Sequence, residues 1–209
     1  MELKGLKINF LGDSITQGVG ASSTYNCYVA QFAQMSGATC RNYGISGTRI
    51  ARRSQPYSSS VFDRDFCMRA PEMNPDADVV VVFGGTNDFG HGDAPLGNKE
   101  DRTVWSFYGA LHVLYDTLLA LYPKAKIVIL TPMRRAEEER EGLTLPPFVD
   151  AVRDVVKEYG FPMLDMYETY PADLHDPEML KQYAPDGLHP NDAGHKLIAE
   201  TLLKFMEEL

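Results

Sequence analysis

At 209 residues, with a formal net charge of −9, 44% hydrophobic and 23% charged residues, the chain has the size and composition of one globular domain with a substantial core, spanning residues 1–209. The acidic balance argues against a nucleic-acid reader, which needs Lys and Arg clusters against phosphate. No apolar run approaches the roughly 18 residues of a membrane span, no signal region follows Met1, and Cys27, Cys40 and Cys67 are irregularly spaced, which predicts a cytoplasmic protein with free thiols.

Leu6–Leu11 reads as the first strand, Tyr25–Met35 as a helix and Thr39–Tyr43 as the second strand. In Asp78–Phe83 the run Val79-Val80-Val81-Val82 is too continuous to have a wet face, so this strand is expected to be covered on both sides. A long helix is predicted over Asp101–Leu121, where Trp105, Tyr108, Leu111, Leu114, Tyr115 and Leu118 approach a 3.6-residue period. Ala125–Leu130 gives the fourth strand, Pro146–Tyr159 a helix closed by Gly160, and Pro162–Asp165 a weaker fifth strand. The last helix is predicted over Asn191–Met206, capped by Asn191 or Asp192. This alternation predicts an α/β fold whose right-handed crossovers stack helices on both faces of a five-stranded parallel sheet. Two long connections, Ala51–Asn74 and Phe89–Lys99, leave the rim where such sheets bind ligands, and loops so placed carry specificity.

Four short motifs fall at that rim: Gly12-Asp13-Ser14-Ile15-Thr16, Asn42-Tyr43-Gly44-Ile45-Ser46-Gly47, Gly84-Gly85-Thr86-Asn87-Asp88 and Asp186-Gly187-Leu188-His189-Pro190. Singly, each has a plain turn or cap reading, and for Gly-Asp-Ser after a strand that reading is the commoner one. Together they supply the parts for nucleophilic attack on an ester. Ser14 is the expected nucleophile, His189 its base and Asp186 the carboxylate that orients the imidazole. Asn87, Gly44 and the Ser14 backbone N–H are the expected oxyanion donors. His112 and His195 fall inside helix patterns, and His175 has no matching acid. His91 is the better candidate for touching substrate, and Asp13, Arg49, Phe89 and Arg134 join it as candidate substrate-binding residues, with Arg135 weighed beside Arg134. Glu137–Glu141 reads as a solvated loop or helix start. There is no dinucleotide fingerprint, phosphate loop or zinc helix.

The four blocks, in this order, resemble those of the SGNH or GDSL hydrolases, named for a serine, glycine, asparagine and histidine that here are Ser14, Gly44, Asn87 and His189. Asp186 stands three positions before the histidine, as in that family. The resemblance covers residues from about 7 to 205 and implies a flavodoxin-like three-layer α/β/α sandwich, serine hydrolysis of small-molecule esters, and no metal or organic cofactor. The same blocks serve esterases of acetylated sugars, lysophospholipases, thioesterases and aryl esterases. A polar loop after Asn87, the aromatic residues Tyr57, Phe89 and Trp105, and the lack of an apolar lid favour short acyl esters, chiefly acetyl groups on a carbohydrate. The alternatives are a lysophospholipase or thioesterase, an acyltransferase using the same acyl-enzyme, and a binding domain without turnover. No motif bears on the oligomeric state.

Overall fold

The computed structural model describes residues 1–55 and 63–209. Five strands, β1 (Lys7–Gly12), β2 (Thr39–Gly44), β3 (Val79–Phe83), β4 (Lys126–Leu130) and β5 (Met163–Leu164), form a parallel sheet in the order β2-β1-β3-β4-β5. The helices are α1 (Ser14–Gln17), α2 (Tyr28–Ser36), α3 (Phe66–Arg69), α4 (Thr86–His91), α5 (Phe107–Leu121), α6 (Pro146–Tyr159), α7 (Met166–Thr169), α8 (Pro177–Tyr183) and α9 (Asp192–Glu207).

Period-two alternation splits the sheet between two cores. Val80 and Val82 of β3, with Ile127 and Ile129 of β4, pack on one face under Leu111, Leu114 and Leu118 of α5 and Val149 and Val152 of α6. Val79, Val81 and Phe83, with Val128 and Leu130, pack on the other under Phe32 of α2 and Ile198 and Leu202 of α9. Every residue of β3 is therefore buried, and each valine contributes about 1.5–3 kcal/mol by leaving water. The result is the three-layer α/β/α sandwich. Among the described residues no helix is long and apolar enough to cross a membrane.

Several boundaries differ from expectation. The helix over Asp101–Leu121 starts only at Phe107, because Ser106 caps it by accepting the Gly109 N–H. Asp101 instead accepts hydrogen bonds from the Asn98 N–H and the Ser106 hydroxyl. Trp105 therefore leaves the helical stripe and is 52% exposed. Tyr25 lies in a short 3₁₀ turn, and α2 begins three residues later. Asn191, rather than Asp192, caps α9 through the Gly194 N–H. The expected connection from Phe89 begins inside α4, while that from Ala51 contains α3. Part of the acidic run, Glu139–Arg140, pairs with Leu143–Thr144 in a small antiparallel hairpin. The three cysteines are unpaired.

Candidate active site

Strand β1 turns directly into α1. A side chain at Gly12 would overlap that of Thr16, so the turn requires glycine. Asp13 Oδ1 accepts the Ile15 N–H at 3.0 Å and caps α1. Ser14 is thereby the first helical residue, and its own N–H has no acceptor within the helix. Asp13 was expected to touch substrate, but it is buried and occupied by this cap. Burial pushes its carboxyl up to about 7, against the Ile15 hydrogen bond and the charge of Arg69.

The residues around His189 come from the other end of the chain. Its Nε2 lies 3.0 Å from Ser14 Oγ, and its Nδ1 lies 2.7 Å from Asp186 Oδ2. Asp186 Oδ1 also accepts the backbone N–H groups of His189 and Leu188. Burial opposes ionisation of Asp186, but these hydrogen bonds outweigh it and hold the carboxyl below its usual range. A clamp of distant residues keeps this turn against α1. Ser22 N–H and Oγ donate to Asp192 at 2.7 and 2.6 Å, and Asn26 Nδ2 donates to it at 2.9 Å. Gly20, at φ +91°, lets the chain pass beneath Pro190, whose carbonyl a Cβ there would strike.

Gly44 does not present a free donor. Its N–H is donated to Asn42 Oδ1 at 2.8 Å, and a Cβ there would fall onto the Gln17 amide, so its missing side chain makes room for α1. In the same segment the Ile45, Ser46 and Thr48 N–H groups donate to Gly12 O, Gln17 Oε1 and Ile45 O. The Gly47 N–H, at φ +75°, alone in this stretch has no acceptor among the described residues. Asn87 Nδ2 donates to the Thr48 carbonyl at 3.0 Å, which fixes its amide beside this turn and leaves its second N–H available.

Arg69 of α3 joins these segments from below, a contribution the motif reading did not include. Its Nη1 donates to the Tyr43 carbonyl at 2.6 Å, and its Nη2 donates to the Gly12 carbonyl at 2.9 Å and to Thr48 Oγ1 at 2.8 Å. One guanidinium thus ties the ends of β1 and β2 to the Gly47–Thr48 turn. Asp88 extends this buried network by accepting the Ile50 and Ala51 N–H groups at 3.0 and 2.8 Å.

The other expected binding residues fall in different places. Arg49 is 2% exposed, and its Nη2 pairs with Asp93 at 2.7 Å. Phe89 is buried in the core against Phe148, unavailable for stacking on a sugar. Arg134 lies over the Tyr167 ring at 4.2 Å and pairs with Glu168 at 3.9 Å. Its neighbour Arg135 turns inward toward Thr86 instead. His91 is exposed at the end of α4. Tyr57 lies outside the described residues. The Trp105 ring carries the Arg52 guanidinium at 5.6 Å. His195 is buried between Tyr28 N–H and the Val19 carbonyl, and burial pushes it down to about 4.

The model of the GDSL-like lipase/acylhydrolase family matches residues 10–197, a span that holds all four motifs. The chain belongs to that family. Among similar proteins, an acetylxylan esterase of Xylanibacter ruminicola is 24% identical over 94% of this chain. This chain spans only 42% of that relative's length. A Lactobacillus plantarum protein of known structure superposes with a TM-score of 0.86 at 29% identity, covering 99% of this chain and 98% of that one. A two-domain esterase active on acetylated mannans shares the fold, with a TM-score of 0.66 at 21% identity over 99% of this chain and 49% of that one.

Proposed function

We propose that this GDSL-family chain hydrolyses short acyl esters, chiefly acetyl groups on a carbohydrate, through an acyl-enzyme on Ser14. The single observation that carries the proposal is the continuous hydrogen-bonded line from Asp186 through His189 to Ser14 Oγ. Neutral His189 Nε2 takes the hydroxyl proton as Oγ attacks the acyl carbonyl, and Asp186 steadies the resulting imidazolium. The oxyanion is held by the N–H groups of Ser14 and Gly47 and by Asn87 Nδ2. Such donors are typically worth about 10²–10³ each in turnover. The intermediate collapses, and the alcohol leaves with the proton from His189. Water, deprotonated by His189, then releases the acid. Gly47 takes the role first expected of Gly44, whose amide is already bonded. The preference for acetylated carbohydrate is supported by the acetylxylan esterase relative.

The test is hydrolysis of 4-nitrophenyl esters from acetate to palmitate, beside labelling by a fluorophosphonate. The wild type is expected to be labelled and to favour acetate, and Ser14→Ala to lose both labelling and turnover while remaining folded. Labelling or full turnover in Ser14→Ala would remove Ser14 from the reaction. A preference for palmitate would overturn the acyl assignment.

A further inference from the structure

Arg135 is buried without a direct ion-pair partner among the described residues. It is 8% exposed, yet no carboxylate lies within ion-pair distance of its guanidinium among the described residues. Its Nη1 makes only long contacts of 3.4–3.5 Å to Thr86, and its Nε has no partner. The guanidinium fits because residue 90 is glycine, where a Cβ would stand 2.8 Å from Nη1. Gly90 also lines a cavity of about 220 Å³ with His91, Gly92, Leu143 and the hairpin residues Arg140 and Glu141, and the Arg135 guanidinium stands behind it. Arg140 likewise has no ion-pair partner among the described residues, so Glu141 is the only acid lining this cavity.

The cavity is close to the chemistry. His91 follows Asn87 by one turn of α4, about 6 Å along the helix axis. Arg135 contacts Thr86, the residue before Asn87, and the neighbouring Ala136 N–H donates to the Gly187 carbonyl between Asp186 and His189. Burial, with the like charge of Arg140, pulls the Arg135 guanidinium below its ordinary value, against the favourable charges of Glu137, Asp186 and Glu138. A carboxylate in this cavity would meet the Arg140 guanidinium, which can hold it by paired N–H···O bonds, and would bring a negative charge toward the buried Arg135.

We infer that His91 and Arg140, backed by the Arg135 guanidinium behind Gly90, form a subsite for a carboxylate on the alcohol half of the ester, so that the preferred substrate is an acetylated uronate. This deepens the esterase reading and rests on it. At roughly seven water volumes, the cavity has room for about one sugar ring.

The test pairs turnover with binding. The acetylated methyl glucuronide is compared with the acetylated methyl glucoside, and 4-nitrophenyl hydrogen succinate with 4-nitrophenyl acetate. Separately, D-glucuronate and D-glucose are titrated calorimetrically into the protein. The expected result is a preference of at least about tenfold for the glucuronide, with binding of glucuronate but not glucose. Arg140→Gln and Arg135→Gln should each bring the glucuronide-to-glucoside ratio toward one and weaken glucuronate binding. Arg140 sits on the exposed hairpin, so its variant keeps the test readable if Arg135→Gln fails to fold. No preference for the glucuronide together with no glucuronate binding overturns the subsite, as does an unchanged ratio in Arg140→Gln. A preference confined to the succinate moves the anion to the acyl half and overturns the uronate assignment. Loss of 4-nitrophenyl acetate turnover with glucuronate binding intact would instead refute the esterase reading.

Discussion

Replacing Arg69 by lysine should damage turnover far more than substrate affinity. The native guanidinium reaches three segments at once: the Gly12 carbonyl beside the Ser14 turn, the Tyr43 carbonyl at the end of β2, and Thr48 Oγ1 beside Gly47. A lysine keeps the positive charge near Asp13 but lacks the planar fork that spans these acceptors. Thr48 also supplies the carbonyl that positions Asn87. Loss of the brace therefore loosens two of the proposed oxyanion donors together. A charge-assisted hydrogen bond contributes about 1.5–3 kcal/mol, and a misplacement worth about 1.4–2.7 kcal/mol in the transition state lowers kcat roughly 10–100-fold. KM should stay within about twofold, because the oxyanion exists only after attack. The assay is steady-state hydrolysis of 4-nitrophenyl acetate with thermal unfolding of the same samples. Arg69→Met, which leaves Asp13 without its cation and strands the buried acceptors, should lose about 3–5 kcal/mol of stability. A folded Arg69→Lys with wild-type kcat, or with only KM raised, would refute the bracing role.

Asp186→Asn should lower kcat by about 10²–10⁴ with the fold retained, since the amide can no longer hold the imidazole in its working tautomer; a loss below tenfold would count against Asp186 as orienter. Gly44→Ala should destabilise by about 1–3 kcal/mol through overpacking against α1, read as a fall in Tm of about 2–4 °C per kcal/mol, and an unchanged Tm would contradict the packing role given to Gly44. Burial raises Asp13 to about 7 from 3.8, so the folded state binds more protons than the unfolded state, and stability falls as pH rises through that window. Asp13→Asn keeps a capping oxygen and should gain about 2–3 kcal/mol relative to wild type between pH 5 and pH 8; a constant difference across that range would refute the shift.

Some features were readable from one-dimensional pattern because local physics decided them. Four consecutive valines required a strand covered on both faces, and alternate side chains of β3 do enter opposite cores. Asp-Gly-Leu-His placed acid and imidazole on one turn because both oxygens of Asp186 are satisfied within three residues. The start of α5 was misplaced because Trp105 fits the helical period while Ser106 competes for the cap, and periodicity does not rank caps. Gly44 and Gly47 both follow an apolar strand; what separates them is the Asn42 side chain, which occupies one amide. Arg134 and Arg135 are adjacent in sequence, and the backbone path after β4 decides that Arg135 turns inward. The Arg69 brace depends on contacts 57, 26 and 21 positions away, and no local pattern encodes those.

The strand order explains why these distant pieces meet. β1 lies between β2 and β3, with Gly12 in register with Gly44 on one side and Phe83 on the other. The chain leaves β1 in one direction to form β2 and crosses back to form β3, so the crevice opens at the end of β1. Ser14 stands in that crevice, with the Gly47 turn after β2 and Asn87 after β3 as its two flanks. The imidazole alone must be brought from outside this neighbourhood, and the Ser22–Asp192 clamp does so by fixing the start of α9 against the loop that follows α1. A perturbation of that clamp should therefore move His189 relative to Ser14 while leaving the proposed oxyanion donors in place. Asp192→Ala is expected to slow fluorophosphonate labelling, because that step needs the base. The Gly47–Thr48–Asn87 arrangement depends on Arg69 instead, so its effect on kcat should be additive with that of Arg69→Lys; strong non-additivity would show that the two supports act on one element.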